Sequence, residues 1–235
     1  MGWSYLGQVE PLAQARAAVL AGDHIFAAGE GGHLWRVAVA PEGNGEIATL
    51  GESGWQTRLL AAAGGRLFAF DENGTLYDID PVEGGFQRLD RDWSTVRAAC
   101  AVGAELVAAA GHLFVIEPGG AGWHQLSEAE FEPKLLLGDG ESLYSVEENG
   151  SLYRIDPRDG SWEQLDGSWG DVCAGAARKG GIFLATESGT LYVIGKGGWA
   201  PIAEGAPPGC RFLFLTGPRL YALEHDGGLS VLELA

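Results

Sequence analysis

Positive charge recurs at one place in this sequence. Arg16, Arg58, Arg97, Lys134 and Arg211 each stand nine residues before an aliphatic anchor, at 25, 67, 106, 143 and 220, and a further segment carries Asp171-Val172 instead. With only 15 Lys and Arg in the chain, the repetition gathers a third of them into one set. Converging guanidinium and ammonium groups can hold a carboxylate, sulfate or phosphate, and Arg does so in bidentate fashion. The same groups can instead pair with acids of a neighbouring segment, such as Glu72 or Glu148, and serve only the fold. Just ahead of the cations come aromatic residues, Trp55, Trp93, Phe131 and Trp169, with Ala13 and Pro208 in the remaining two segments. A flat ring beside a charged hydrogen-bonding group suits a sugar, whose C–H face stacks while its hydroxyls take the polar partners. Rings at such positions can equally close the joints between packed units.

Other chemistry is poorly represented. His24, His33, His112, His124 and His225 show no H-x-x-H or H-E-x-x-H spacing, and neither a Gly-x-Ser-x-Gly elbow nor a phosphate-binding glycine loop occurs. Cys100, Cys173 and Cys210 are odd in number, lack metal-ligand spacing and read as small buried thiols. We therefore expect no catalytic residues, no metal and no cofactor. A formal charge of −17 repels nucleic acid and anionic lipid from most of the surface, so neither is expected as a partner. Met1-Gly2-Trp3-Ser4-Tyr5 has neither a basic nor an apolar leader region, which points to the cytoplasm.

The elements that must position these residues form a repeat. Aligned third strands carry Leu at 34, 76, 113, 152, 191 and 229, at steps of 42, 37, 39, 39 and 38. A second strand precedes each, as in Leu67-Phe68 and Leu143-Tyr144, and an innermost strand of small and aliphatic residues precedes that. Asn73-Gly74 and Asn149-Gly150 lie between second and third strands and predict type I′ hairpin turns, which require positive φ at both central residues. A fourth strand places an aromatic or aliphatic residue three positions before Leu or Ile: Ile47/Leu50, Phe86/Leu89, Trp123/Leu126, Trp162/Leu165 and Trp199/Ile202. These tryptophans, and Trp3, are expected to be structural.

The sixth repeat ends without room for a fourth strand, and Gly2-Trp3-Ser4-Tyr5-Leu6 matches the missing piece. Four strands in each of six repeats, closed by the N-terminal segment, predict an all-β six-bladed β-propeller in one domain, with blades at about 15–50, 57–89, 96–126, 133–165, 171–202 and 210–235 plus 2–6. Such connectivity puts the cations, the inter-blade aromatics and the Asn-Gly turns on one face.

Gly65-Arg66-Leu67-Phe68-Ala69-Phe70 followed by Asn73-Gly74-Thr75-Leu76-Tyr77 resembles the blades of tectonin and tachylectin-type propeller lectins. Ile155-Asp156-Pro157-x-x-Gly160-x-Trp162 is similar to kelch and quinoprotein-type blades. The resemblance spans the chain and implies carbohydrate binding in one group, protein interaction in another and a bound cofactor in a third. No quinoprotein site is matched, and the double glycine of kelch second strands is missing. The expected function is lectin-like recognition of a glycan or small anionic ligand. The alternatives are a protein-interaction scaffold and, third, a channel-based hydrolase or lyase.

Overall fold

A computed structural model describes residues 2–40, 43–51, 54–89, 92–117, 122–195 and 198–234; Ala235, the last residue of the sixth repeat, lies outside them. The chain is a six-bladed β-propeller. Its strands form six antiparallel sheets of four, and five of these sheets are consecutive in sequence. The innermost strands are Ala15–Ala21, Thr57–Ala63, Ala98–Val102, Pro133–Gly138, Val172–Arg178 and Cys210–Thr216, numbered here as blades 1 to 6. The sixth sheet is completed by Ser4–Gln8, which pairs antiparallel with Gly228–Glu233. This segment is shifted by two residues from the expected 2–6, with an irregularity between Tyr5 and Gly7 that moves Leu6 out of register.

Burial explains the strand compositions. Second strands such as Leu143–Glu147 and Gly181–Thr186 are buried throughout, because neighbouring blades cover both faces. Instead of one core, apolar side chains form six clusters, one at each blade-to-blade joint. Fourth strands are the least protected. Phe86, Trp123, Trp162 and Trp199 are 48 to 60% exposed, so the outer aromatics form a half-open rim. Each still packs one edge inward, as Trp162 does on Tyr153 at 5.3 Å and Trp199 on Tyr192 at 5.6 Å.

The hairpin turns differ from expectation in type. Among the described residues no non-glycine has positive φ, so Asn73 and Asn149 are not in the left-handed region that a type I′ turn requires. Asp71 and Thr75 close a three-residue loop: Gly74 N–H donates to Asp71 O at 3.0 Å, and Asp71 N–H donates to Thr75 O at 2.8 Å. This is a type I turn followed by a left-handed glycine, Gly74 at φ +81°. Asn73 acts through its side chain, whose Oδ1 accepts from Thr75 N–H at 2.9 Å.

Candidate functional site

The cation ring is built by a repeated irregularity of the backbone. Pairing of first with second strands shifts register between Ala15 and Ala17, Thr57 and Leu59, Pro133 and Leu135, Val172 and Ala174, and Cys210 and Phe212. The residue set aside by each shift is Arg16, Arg58, Lys134, Cys173 or Arg211. A β-bulge re-aims its extra side chain, and here it turns five of them toward the next blade. Arg97 holds the same place in blade 3, immediately before Ala98, with its own N–H on Ala109 O at 2.8 Å. The fifth blade therefore presents Cys173, not Asp171-Val172. Counting nine residues back from Ile182 gives the same answer.

Each of these groups reaches forward by one blade. Arg16 pairs with Glu72 at 3.0 Å and with Glu30 at 3.6 Å. Arg58 donates from its two Nη atoms to the carbonyls of Val96 (2.6 Å), Trp93 (2.7 Å) and Ser94 (2.9 Å). Lys134 Nζ donates to Gly170 O at 2.6 Å, and Arg211 Nη2 to Ala15 O at 2.5 Å. Cys173 Sγ approaches Cys210 O at 3.5 Å. Arg97 is held differently. Its ion-pair partners Glu132 and Glu148 lie at 3.9 and 4.0 Å, and its half-exposed guanidinium makes no side-chain hydrogen bond among the described residues.

All five cations also line the central channel, a cavity of about 410 Å³ whose remaining wall is the six innermost strands. Below the charged mouth the wall is apolar. Leu20, Leu59, Leu135, Leu137, Phe212 and Leu215 line it and are only partly buried. Gly175 of blade 5 gives the neighbouring wall room, because a Cβ there would lie 2.8 Å from Leu137 Cδ1.

The inter-blade rings have another task. The N–H of Trp55, Trp93, Phe131 and Trp169 donates to the carbonyl of Gly32, Gly74, Gly111 and Gly150 respectively, at 2.8 to 3.1 Å. Each connection is thereby pinned over a hairpin turn. The equivalent bonds in the other two joints come from Ala206 to Gly189 O and from Val9 to Gly227 O, so these residues, and not Pro208 and Ala13, complete the set. Trp93, Phe131 and Trp169 are 2, 3 and 5% exposed and sit between blades, where they cannot offer a face to a sugar. Trp93 stands edge-on to Phe70 of blade 2 and Phe114 of blade 3, at 6.1 and 6.0 Å. Trp55 is part-buried against Tyr77 and Phe86 at 5.1 and 5.0 Å. The indole Nε1 of Trp169 is buried without a hydrogen-bond partner among the described residues.

Two carboxylates on this face are buried. Asp71 and Glu147 end second strands of blades 2 and 4 at 6 and 8% exposure. Thr57 donates to Asp71 at 3.2 Å, while Glu147 accepts from Ser145 Oγ and from Glu132 N–H at 2.6 Å. Burial pushes the Asp71 carboxyl above the usual aspartate range against the opposing pull of these hydrogen bonds. The Cys210 thiol, also buried, is pushed up to about 12 and is a poor nucleophile. No group of three or more His, Cys, Asp or Glu among the described residues is placed to hold a metal ion. None of the described helices is long and apolar enough to cross a membrane.

No family model matches the sequence, and comparison with curated proteins finds no match. Solved structures do share the fold. The structure of the RRP9 WD40 repeats is similar at TM-score 0.65 and 12% identity, over 100% of this chain and 98% of that one. That of YCF48 bound to D1 peptide is similar at TM-score 0.64 and 18% identity, over 94 and 77%. PorZ, a surface component of the type-IX secretion system of Porphyromonas gingivalis, is similar at TM-score 0.60 and 17% identity; this chain spans 38% of its length. At these identities the likeness establishes the propeller and nothing finer.

Proposed function

We propose that this protein is a non-catalytic interaction scaffold that engages a protein partner through the face around the cation-ringed channel mouth. The observation that carries the reading is the ring itself, in which four cations on bulges and Arg97 line one opening, with exposed Glu30 and Glu72 paired to Arg16 and exposed Glu132 and Glu148 paired to Arg97. A surface that holds both signs at fixed positions favours one complementary charge pattern and rejects others, which is how interfaces obtain specificity. The similar propeller YCF48 was solved with a peptide bound, which supports the same use of the fold here. A lectin would need an exposed ring beside the cations, and three of the four inter-blade rings are closed.

The test is cross-linking of the tagged full chain in its native cells, followed by mapping of the linked residues. Partner contacts are expected on the face of Arg16 and Arg97, lost on Arg97→Glu with Arg16→Glu and kept on Lys179→Glu, whose turn lies at the opposite end of the strands. Retention of the partner in the double variant, or equal loss with Lys179→Glu, refutes the scaffold reading.

A further inference from the structure

We propose that the central channel is a binding site for a small amphipathic carboxylate, with its head at the cation ring beside Arg97 and its hydrocarbon chain along the leucine-lined wall. The proposal concerns the interior of the channel and does not depend on a protein partner for the face.

Two observations select this class of ligand. First, the wall keeps apolar surface exposed beyond what the blade joints cover. Leu135 and Leu137 of one strand, and Phe212 and Leu215 of another, stay partly exposed in a cavity of about 410 Å³, which is room for a chain of several methylenes. Each methylene moved from water onto such a wall strengthens binding about fourfold. Polar ligands gain nothing from this surface.

Second, the mouth offers cations to a negative head. The ring's ion pairs join Arg16 to Glu30 and Glu72 and Arg97 to Glu132 and Glu148, whereas Arg58, Lys134 and Arg211 donate to backbone carbonyls and have no ion-pair partner among the described residues. A singly charged head meets less repulsion from the surrounding acids than a phosphate dianion would. Arg97 is the group with donors to give. Its carboxylate neighbours stand beyond hydrogen-bond range, and its guanidinium has the planar fork that accepts a carboxylate in bidentate form. Arg58, by contrast, already donates to three carbonyls.

Isothermal titration of the full chain with sodium octanoate, sodium acetate and 1-octanol separates the contributions. Octanoate is expected to bind one per chain, acetate not measurably, and 1-octanol at least tenfold more weakly than octanoate. Arg97→Gln should weaken octanoate about tenfold and leave 1-octanol unchanged. Ala62→Phe, which fills the channel from a partly exposed wall position without adding charge, should abolish binding while thermal melting stays cooperative; Leu137→Asp should do the same, and Ala62→Phe decides if that variant does not fold. Absence of octanoate binding at millimolar concentration, equal affinity for the alcohol, or binding that survives Ala62→Phe would each overturn the proposal.

Discussion

Arg58 and Arg97 occupy equivalent positions in adjacent blades and do different work. Arg58 is a clamp: its Nη atoms join the start of blade 2 to three consecutive-turn carbonyls at the start of blade 3. Hydrogen bonds from a charged donor contribute about 1.5–3 kcal/mol each when lost from a part-buried site, so Arg58→Met should destabilise by roughly 2–4 kcal/mol in urea unfolding. Arg97 is half-exposed with loose ion pairs, and Arg97→Gln should change stability by less than about 1 kcal/mol. Equal effects of the two substitutions would sink this division of roles. Asp71 gives a pH-dependent counterpart. Burial raises its carboxyl, so between the ordinary value of 3.8 and the raised one the folded state holds more protons than the unfolded state. Its contribution to stability therefore falls as pH rises through that window. Asn cannot titrate. The melting temperature of Asp71→Asn minus that of the parent should accordingly shift in favour of Asn from below pH 3.8 to neutral pH, whatever its offset; a difference independent of pH would show that Asp71 carries no such penalty.

At the scale of elements, the joint between a hairpin turn and the following connection is the repeating device. Trp93 N–H on Gly74 O ties the two, and a Cβ on Gly74 would lie 2.3 Å from Asp92 Oδ1 and 2.8 Å from Ser94 N. Gly22, between the first two strands of blade 1, also has positive φ (+62°) but open space around it. Gly22→Ala should thus cost about 1 kcal/mol from backbone conformation alone, and Gly74→Ala about 2 kcal/mol or more, because the connection must also move. Chemical denaturation compares them directly, and equal costs would remove the role given to this joint. These elements also show what the sequence could disclose. The leucine period and the Asn-Gly turns are local signals and disclosed the six four-stranded blades. The turn type was not legible, because Asn-Gly serves a type I turn with a following left-handed glycine as well as it serves type I′. Cys173 was legible by the same nine-residue count from Ile182 and was overlooked because the set was recognised by its charge, which a cysteine lacks. Whether Trp93 or Trp162 is the buried ring depends on the neighbouring blade, about forty residues away, and the pattern within one repeat is the same for either outcome.

Over the whole molecule, six separate clusters joined in a circle give a fold in which each blade depends on two neighbours, and one joint relies on a segment from the far end of the chain. Ser4–Gln8 supplies the outer strand of blade 6, Val9 N–H binds Gly227 O, and Leu12 is fully buried between blades 6 and 1. Removing residues 1–8 opens the edge of Gly228–Glu233, a template for pairing with another chain. The truncated protein should melt about 10 °C lower and form dimers or larger species by size-exclusion chromatography, with a chain of this size losing about 2–4 °C per kcal/mol. Because the missing strand needs only backbone pairing and a few side-chain contacts, a synthetic peptide of residues 1–9 added in excess should restore the monomer and most of the lost melting temperature. Neighbouring residues of a strand alternate in which N–H faces the sheet, so a peptide carrying Ser4→Pro and Tyr5→Pro always lacks one ladder donor and should fail to rescue. A truncated chain that stays monomeric at the parental melting temperature, or rescue by the proline peptide, would show that the ring does not depend on this strand for closure.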